Sequence, residues 1–119
     1  MFPEPYGSRN KGEPTRKEEV VIRVIIERHA KEPEKLTHLL RELRAVAMDE
    51  PGYITGQTLV STEDSSIIVV ISTWSSIEDW KAWETSETRA RLYKQVEPLL
   101  VEKPKVRIYE ILATEERTG

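Results

Sequence analysis

Two short segments, VVIRVIIER at residues 20–28 and SIIVVISTW at residues 66–74, are β-branched and largely apolar on both of their alternating faces. Successive strand side chains point to opposite sides of a sheet, so strands of this kind need cover on both sides. The first run sets Val20, Ile22, Val24 and Ile26 on one side and Val21, Arg23, Ile25 and Glu27 on the other. The pattern between and after the two runs says what can cover them. Residues 32–52 place Pro33 at a first helical position and Leu36, Leu39, Leu40, Leu43, Val46 and Ala47 at helical spacing, with Pro51 and Gly52 as a stop. YITGQTLVS, residues 53–61, reads as a strand joined to the 66–74 run by a polar turn. Ser75 with Glu78 three residues on predicts a capped helix directly after Trp74, broken near Thr85 and Ser86 and ended by Pro98. KVRIYEILA, residues 105–113, alternates as a last strand.

The order βαββαβ predicts an α+β, ferredoxin-like fold. Its four-stranded antiparallel sheet has both helices on one face and the first and third strands in the centre. Two helices cover only one face. Val21 and Ile25, with either Ile68 and Val70 or Ile67, Val69 and Ile71, are left for something else to bury. Leaving such side chains wet forgoes about 1.5–3 kcal/mol each. A second copy of the sheet supplies the cover, so the expected state is a homodimer packed sheet to sheet through an isologous interface, forming a dimeric α/β barrel.

Composition narrows the function. A chain of 119 residues is one domain by size, and the expected division is an extension at 1–18, a folded unit at 19–114 and a tail at 115–119. The extension holds Pro3, Pro5, Pro14, Gly7 and Gly12 and reads as flexible. A net charge of −3 argues against nucleic acid as partner, and the apolar third strand argues against single-stranded RNA on the sheet. Absence of cysteine removes thiolate chemistry and cysteine-type metal sites and fits a cytoplasmic location. No window approaches the roughly 18 apolar residues of a membrane span. With only His29 and His38, and no phosphate-binding glycine loop or nucleophile elbow, no metal site and no cofactor are expected.

All three tryptophans, Trp74, Trp80 and Trp83, lie at one strand-to-helix junction, where core, pocket wall and partner surface are the competing readings. A strand ending in TW, a capping serine, WKAW, the continuation TSETRARL and the preceding EPGYITGQTLV together resemble the antibiotic biosynthesis monooxygenase-like family of dimeric α/β barrels. The resemblance spans residues 20–112. It implies a pocket between helices and sheet, and an activity that in some members oxidises aromatic polyketides without a cofactor and in others degrades haem. On that basis Trp74 is a pocket wall, Arg23 an anchor for an anionic substrate group and Tyr93 a hydrogen-bonding partner, the three catalytic candidates. Trp83 and His38 are further ligand-binding candidates. Their structural alternatives are a core aromatic for Trp74, an interface ion pair with Glu27 for Arg23, packing for Trp83 and Tyr93, and a surface role for His38. The haem-degrading members use an asparagine on the first strand and a histidine on the second helix. Here the only asparagine is Asn10, no histidine follows His38, and Tyr93 stands at the iron ligand's place, so haem degradation is disfavoured. The asparagine of polyketide-oxidising members also has no counterpart. The resulting expectation is a cofactor-independent monooxygenase for a small aromatic substrate. Its competitor is a non-enzymatic homodimeric module that binds a small hydrophobic ligand.

Overall fold

The computed structural model describes residues 20–117, so the extension at 1–18 and the last two residues of the tail lie outside the described residues. Strand β1 (Ile22–His29) leads through helix α1 (Pro33–Ala47) to strands β2 (Tyr53–Val60) and β3 (Ile67–Trp74). Helices α2 (Ile77–Glu84) and α3 (Glu87–Val96) follow, then a single 3-10 turn (Glu97–Leu99) and strand β4 (Lys105–Glu110). The sheet order is β2-β3-β1-β4 and every pairing is antiparallel. The βαββαβ ferredoxin-like fold is therefore present, with the two most apolar strands in the middle.

Local chemistry sets the element ends. Pro33 starts α1, where a missing N–H costs nothing, and Leu36, Leu40, Leu43 and Ala47 form its buried stripe. Ser76, not Ser75, caps α2: its Oγ accepts from the Asp79 N–H at 3.1 Å. The Asp79 carboxylate accepts in return from Ser75 Oγ at 2.7 Å and Ser76 Oγ at 3.1 Å, so a two-serine box replaces the expected Ser75–Glu78 pair. Ser86 caps α3 by accepting from the Arg89 N–H at 3.1 Å, which makes the break in the second helical region a true restart. These caps fix the phase of both helices against the end of β3.

The core lies between the sheet and the helices. Ile22, Val24 and Ile26 of β1 are each at most 5% exposed and pack with Leu36, Leu40, Ile68, Trp74 and Trp80. The opposite face is registered as Arg23 beside Thr73 and Tyr109, Ile25 beside Ile71 and Arg107, and Glu27 beside Val69 and Lys105. Strand parity thus chooses Ile67, Val69 and Ile71 for the bare face, and all three remain only half-buried in the single chain, as does Ile25. Ile68 and Val70 belong with the helices, the former buried and the latter packed against the core.

Gly52 joins α1 to β2 at φ +87° and its carbonyl accepts from the Ser75 N–H at 2.8 Å. A Cβ there would collide with the Asp79 side chain. Gly52→Ala should lower stability by about 1–3 kcal/mol through combined strain and collision, read as a fall in the urea midpoint with an unchanged slope.

Candidate functional site

The helix-facing side of β1, β3 and β2 does not fill completely. A cleft remains between it, α1 and the α2–α3 pair, bordered by Ile26, Leu40, Leu43, Val70, Trp74 and Trp83 among its apolar groups. Counted out to its open mouth the cleft measures ≈ 480 Å³, while the interior reachable by the centre of a water-sized sphere is only ≈ 50 Å³.

Trp74 forms the floor at the end of β3. Its ring meets Tyr53 edge-on at 5.3 Å and Trp80 at 5.7 Å between centroids. Its Nε1–H donates to Ser72 Oγ at 3.0 Å, so the indole is fixed from both the strand and the helix side. Burial raises the Tyr53 phenol above its ordinary value, and the positive charge of Arg44 partly opposes that rise.

Three arginines line the same cleft: Arg28 of β1, Arg44 of α1 and Arg89 of α3. Arg44 Nη1 donates to Thr58 Oγ1 at 2.8 Å. Arg28 is 2% exposed, and its Nε donates to Tyr93 Oη at 3.4 Å while its guanidinium carbon lies 5.5 Å from the Tyr93 ring centre. Arg89 sits between two rings, 4.8 Å from the Tyr93 centroid and 5.8 Å from that of Trp80. Burial depresses the Arg89 pKa, and the nearby positive charge of Arg28 depresses it further. No acidic side chain or histidine borders the cleft among the described residues.

The residues singled out in the sequence divide accordingly. Trp74 and Trp83 both border the cleft and are both buried in the wall. Tyr93 stands behind it, in contact with Arg28 and Arg89. Arg23 is exposed and lies on the opposite face of the sheet, away from Trp74, because it is out of phase with Ile22 and Val24. His38 is on the solvent side of α1, where its Nε2 is 3.4 Å from Glu42 Oε2. The cationic position expected at Arg23 is filled instead by Arg28. Strand alternation carried that signal, since Arg28 continues the Val24 and Ile26 side. Arg44 of α1 and Arg89 of α3 are half-buried cleft residues. Arg89, Tyr93 and Val96 share one face by their spacing of four and seven.

Among the described residues no group of three potential metal ligands comes together, and no helix is long and apolar enough to cross a membrane. The cleft thus combines two indole-bearing walls with three arginines.

A sequence profile described as antibiotic biosynthesis monooxygenase matches residues 21–95, a span that includes every cleft residue named above. No curated protein matches the sequence at a significant level. Among solved structures, SnoaB, a cofactor-independent oxygenase from Streptomyces nogalater, aligns with a TM-score of 0.74 at 10% identity over 80% of this chain and 96% of that one. A Nitrosomonas europaea protein named for the same monooxygenases aligns at 0.72 and 20% identity, covering 77% of this chain and 90% of its own. A conserved protein from Methanosarcina mazei Go1 aligns at 0.70 and 18% identity, over 79% and 95% respectively. At these identities the structural likeness is one of fold.

Two measurements check the site. Tyr93→Phe keeps the ring under Arg89 but removes the oxygen that receives the Arg28 N–H, and should cost about 1 kcal/mol in chemical denaturation. The raised Tyr53 pKa means that the folded state favours the neutral phenol. Its stabilising contribution is full below about pH 10 and is lost as pH rises through the higher folded value. Absorbance near 295 nm should show one tyrosine ionising late, and Tyr53→Phe should remove that step.

Proposed function

The chain belongs to the antibiotic biosynthesis monooxygenase family, and on that premise we propose that its cleft oxidises a small electron-rich aromatic substrate with dioxygen and without an organic or metal cofactor. The observation that carries the reading is a cleft walled by Trp74 and Trp83 whose charged lining, among the described residues, is entirely cationic. An anthrone-type molecule in the cleft loses a proton more readily there, because the guanidinium groups stabilise its anion. With no carboxylate or imidazole in the lining, the proton leaves through the mouth to solvent.

The anion then supplies the electrons. One passes to dioxygen, the resulting substrate radical and superoxide combine as a peroxide anion, a proton returned from solvent makes it the hydroperoxide, and loss of water leaves a new carbonyl. In sum a CH₂ group and O₂ become C=O and H₂O. Arg44, held by Thr58 beside the Tyr53–Trp74 pair, lies where it can orient the substrate oxygen. The same cleft would serve a ligand-binding module, a reading favoured by the missing base, and turnover separates the two.

The homodimer belongs to this proposal. Ile25, Val69 and Ile71 form an apolar strip on the bare face of the sheet, flanked by Arg23, Glu27, Lys105 and Arg107 as a charged margin. A self-complementary pairing of two such faces buries the strip and leaves the margin at the rim.

Anaerobic mixing with anthrone followed by oxygen should give product at least about tenfold faster than in buffer, and Arg44→Gln should reduce that acceleration about tenfold or more. No acceleration over buffer would overturn the oxygenase reading. Sedimentation should give twice the 13.8 kDa chain mass, and Ile71→Glu should shift the population to single chains.

A further inference from the structure

Arg28 is the least expected residue in the fold. Its side chain is 2% exposed, yet among the described residues no carboxylate lies within 4.0 Å of it, the described ion pairs being Lys35–Glu32 and His38–Glu42 on the surface. Among the described residues its side chain makes one hydrogen bond, to Tyr93 Oη, long at 3.4 Å. Arg89 lies against the same tyrosine ring from its own side and keeps a buried Nε–H without an acceptor. Both guanidinium groups border the cleft. The Glu84 carboxylate acts on Arg89, but less than burial and Arg28 oppose it. Burying two like charges with no carboxylate in contact among the described residues is unfavourable, and a guanidinium fork is the geometry that receives a carboxylate.

We infer that the cleft takes an aromatic carboxylate, with the carboxylate group accepted between Arg28 and Arg89 and the ring lodged against Trp74 and Trp83. This inference rests on the reading of the cleft as the reacting site and adds the class of molecule that it selects. The anionic group is a handle and not the reacting centre: Arg28 and Arg89 meet at Tyr93, whereas Arg44 and Thr58 flank the Tyr53–Trp74 pair. The indole walls favour an organic acid over an inorganic anion, which would fill the charge but leave the apolar lining wet. The bound carboxylate supplies the acceptor that Arg89 Nε lacks and a counter-charge for Arg28.

The test is calorimetric titration without oxygen of the full chain with 2-naphthoate, the neutral 2-naphthalenemethanol and inorganic phosphate, so that no turnover is needed. Naphthoate should bind at least tenfold more tightly than the neutral analogue and more tightly than phosphate, and the preference should weaken with added salt. Arg28→Met should abolish the preference while leaving the melting temperature unchanged or higher, since an unpaired buried charge has been removed; Arg28→Lys should retain part of it. Should Arg28→Met fail to fold, Arg89→Met should show the same loss. Equal affinity for the acid and the alcohol would overturn the inference, as would an undiminished preference in the arginine variants or phosphate binding as well as naphthoate. If a carboxylate from a second subunit already occupies the pair, the acid gains nothing over the alcohol and the inference falls in that way. An acid preference without oxygenation of anthrone would sink the oxygenase reading alone; oxygenation without an acid preference would sink this inference alone.

Discussion

The edge-on packing of Trp74 between Tyr53 and Trp80 is the contact on which the architecture turns. It joins the start of β2, the end of β3 and the first turns of α2 in one cluster. The Gly52 carbonyl and the Ser75 N–H lock the same corner through the backbone. Because Ser76 and Asp79 then set the phase of α2, Trp80 and Trp83 are turned inward, one behind Trp74 and one along the cleft. The concentration of tryptophans at this junction serves two ends at once. Large rings give the corner its buried area, and the faces left over give the cleft apolar walls.

The second theme is charge placed where a stability-optimised core would hold none. Among the described residues, Arg28 and Arg89 are held by aromatic faces and one phenolic oxygen, with no carboxylate in contact. Guanidinium tolerates such a setting better than ammonium because it is planar, weakly hydrated and able to stack.

The third is the two-sided demand of the central strands. Helices α1, α2 and α3 cover one face of β1 and β3 apart from the cleft, and the other carries Ile25, Val69 and Ile71 only half-hidden beside a charged margin. The cleft and the bare face lie on opposite sides of the same strands, so the residues that serve one are excluded from the other by alternation. Arg23 and Arg28, five positions apart in β1, are separated by the full thickness of the sheet for this reason.

The element order, the central pair of strands, the break at Ser86 and the importance of Trp74 were all legible in the chain, because each follows from short-range chemistry: periodicity, caps and punctuation. The start of α2 was read one residue early, since Ser75 and Ser76 offer equivalent hydroxyls and only the backbone path after Trp74 selects Ser76 as cap. Which face of β3 the helices would cover was open in the sequence, where Ile68 with Val70 and Ile67 with Ile71 look alike. In β1 alternation already put Arg28 on the Val24 and Ile26 side and Arg23 on the other. Arg44 and Arg89 sit on helix borders where a long side chain can point to water or inward, and only the packing of three elements far apart in sequence turned both toward one space. Sequence alone therefore determined the fold and the aromatic corner, which depend on neighbours along the chain; tertiary structure decided the cationic cleft, which depends on how sheet and helices meet.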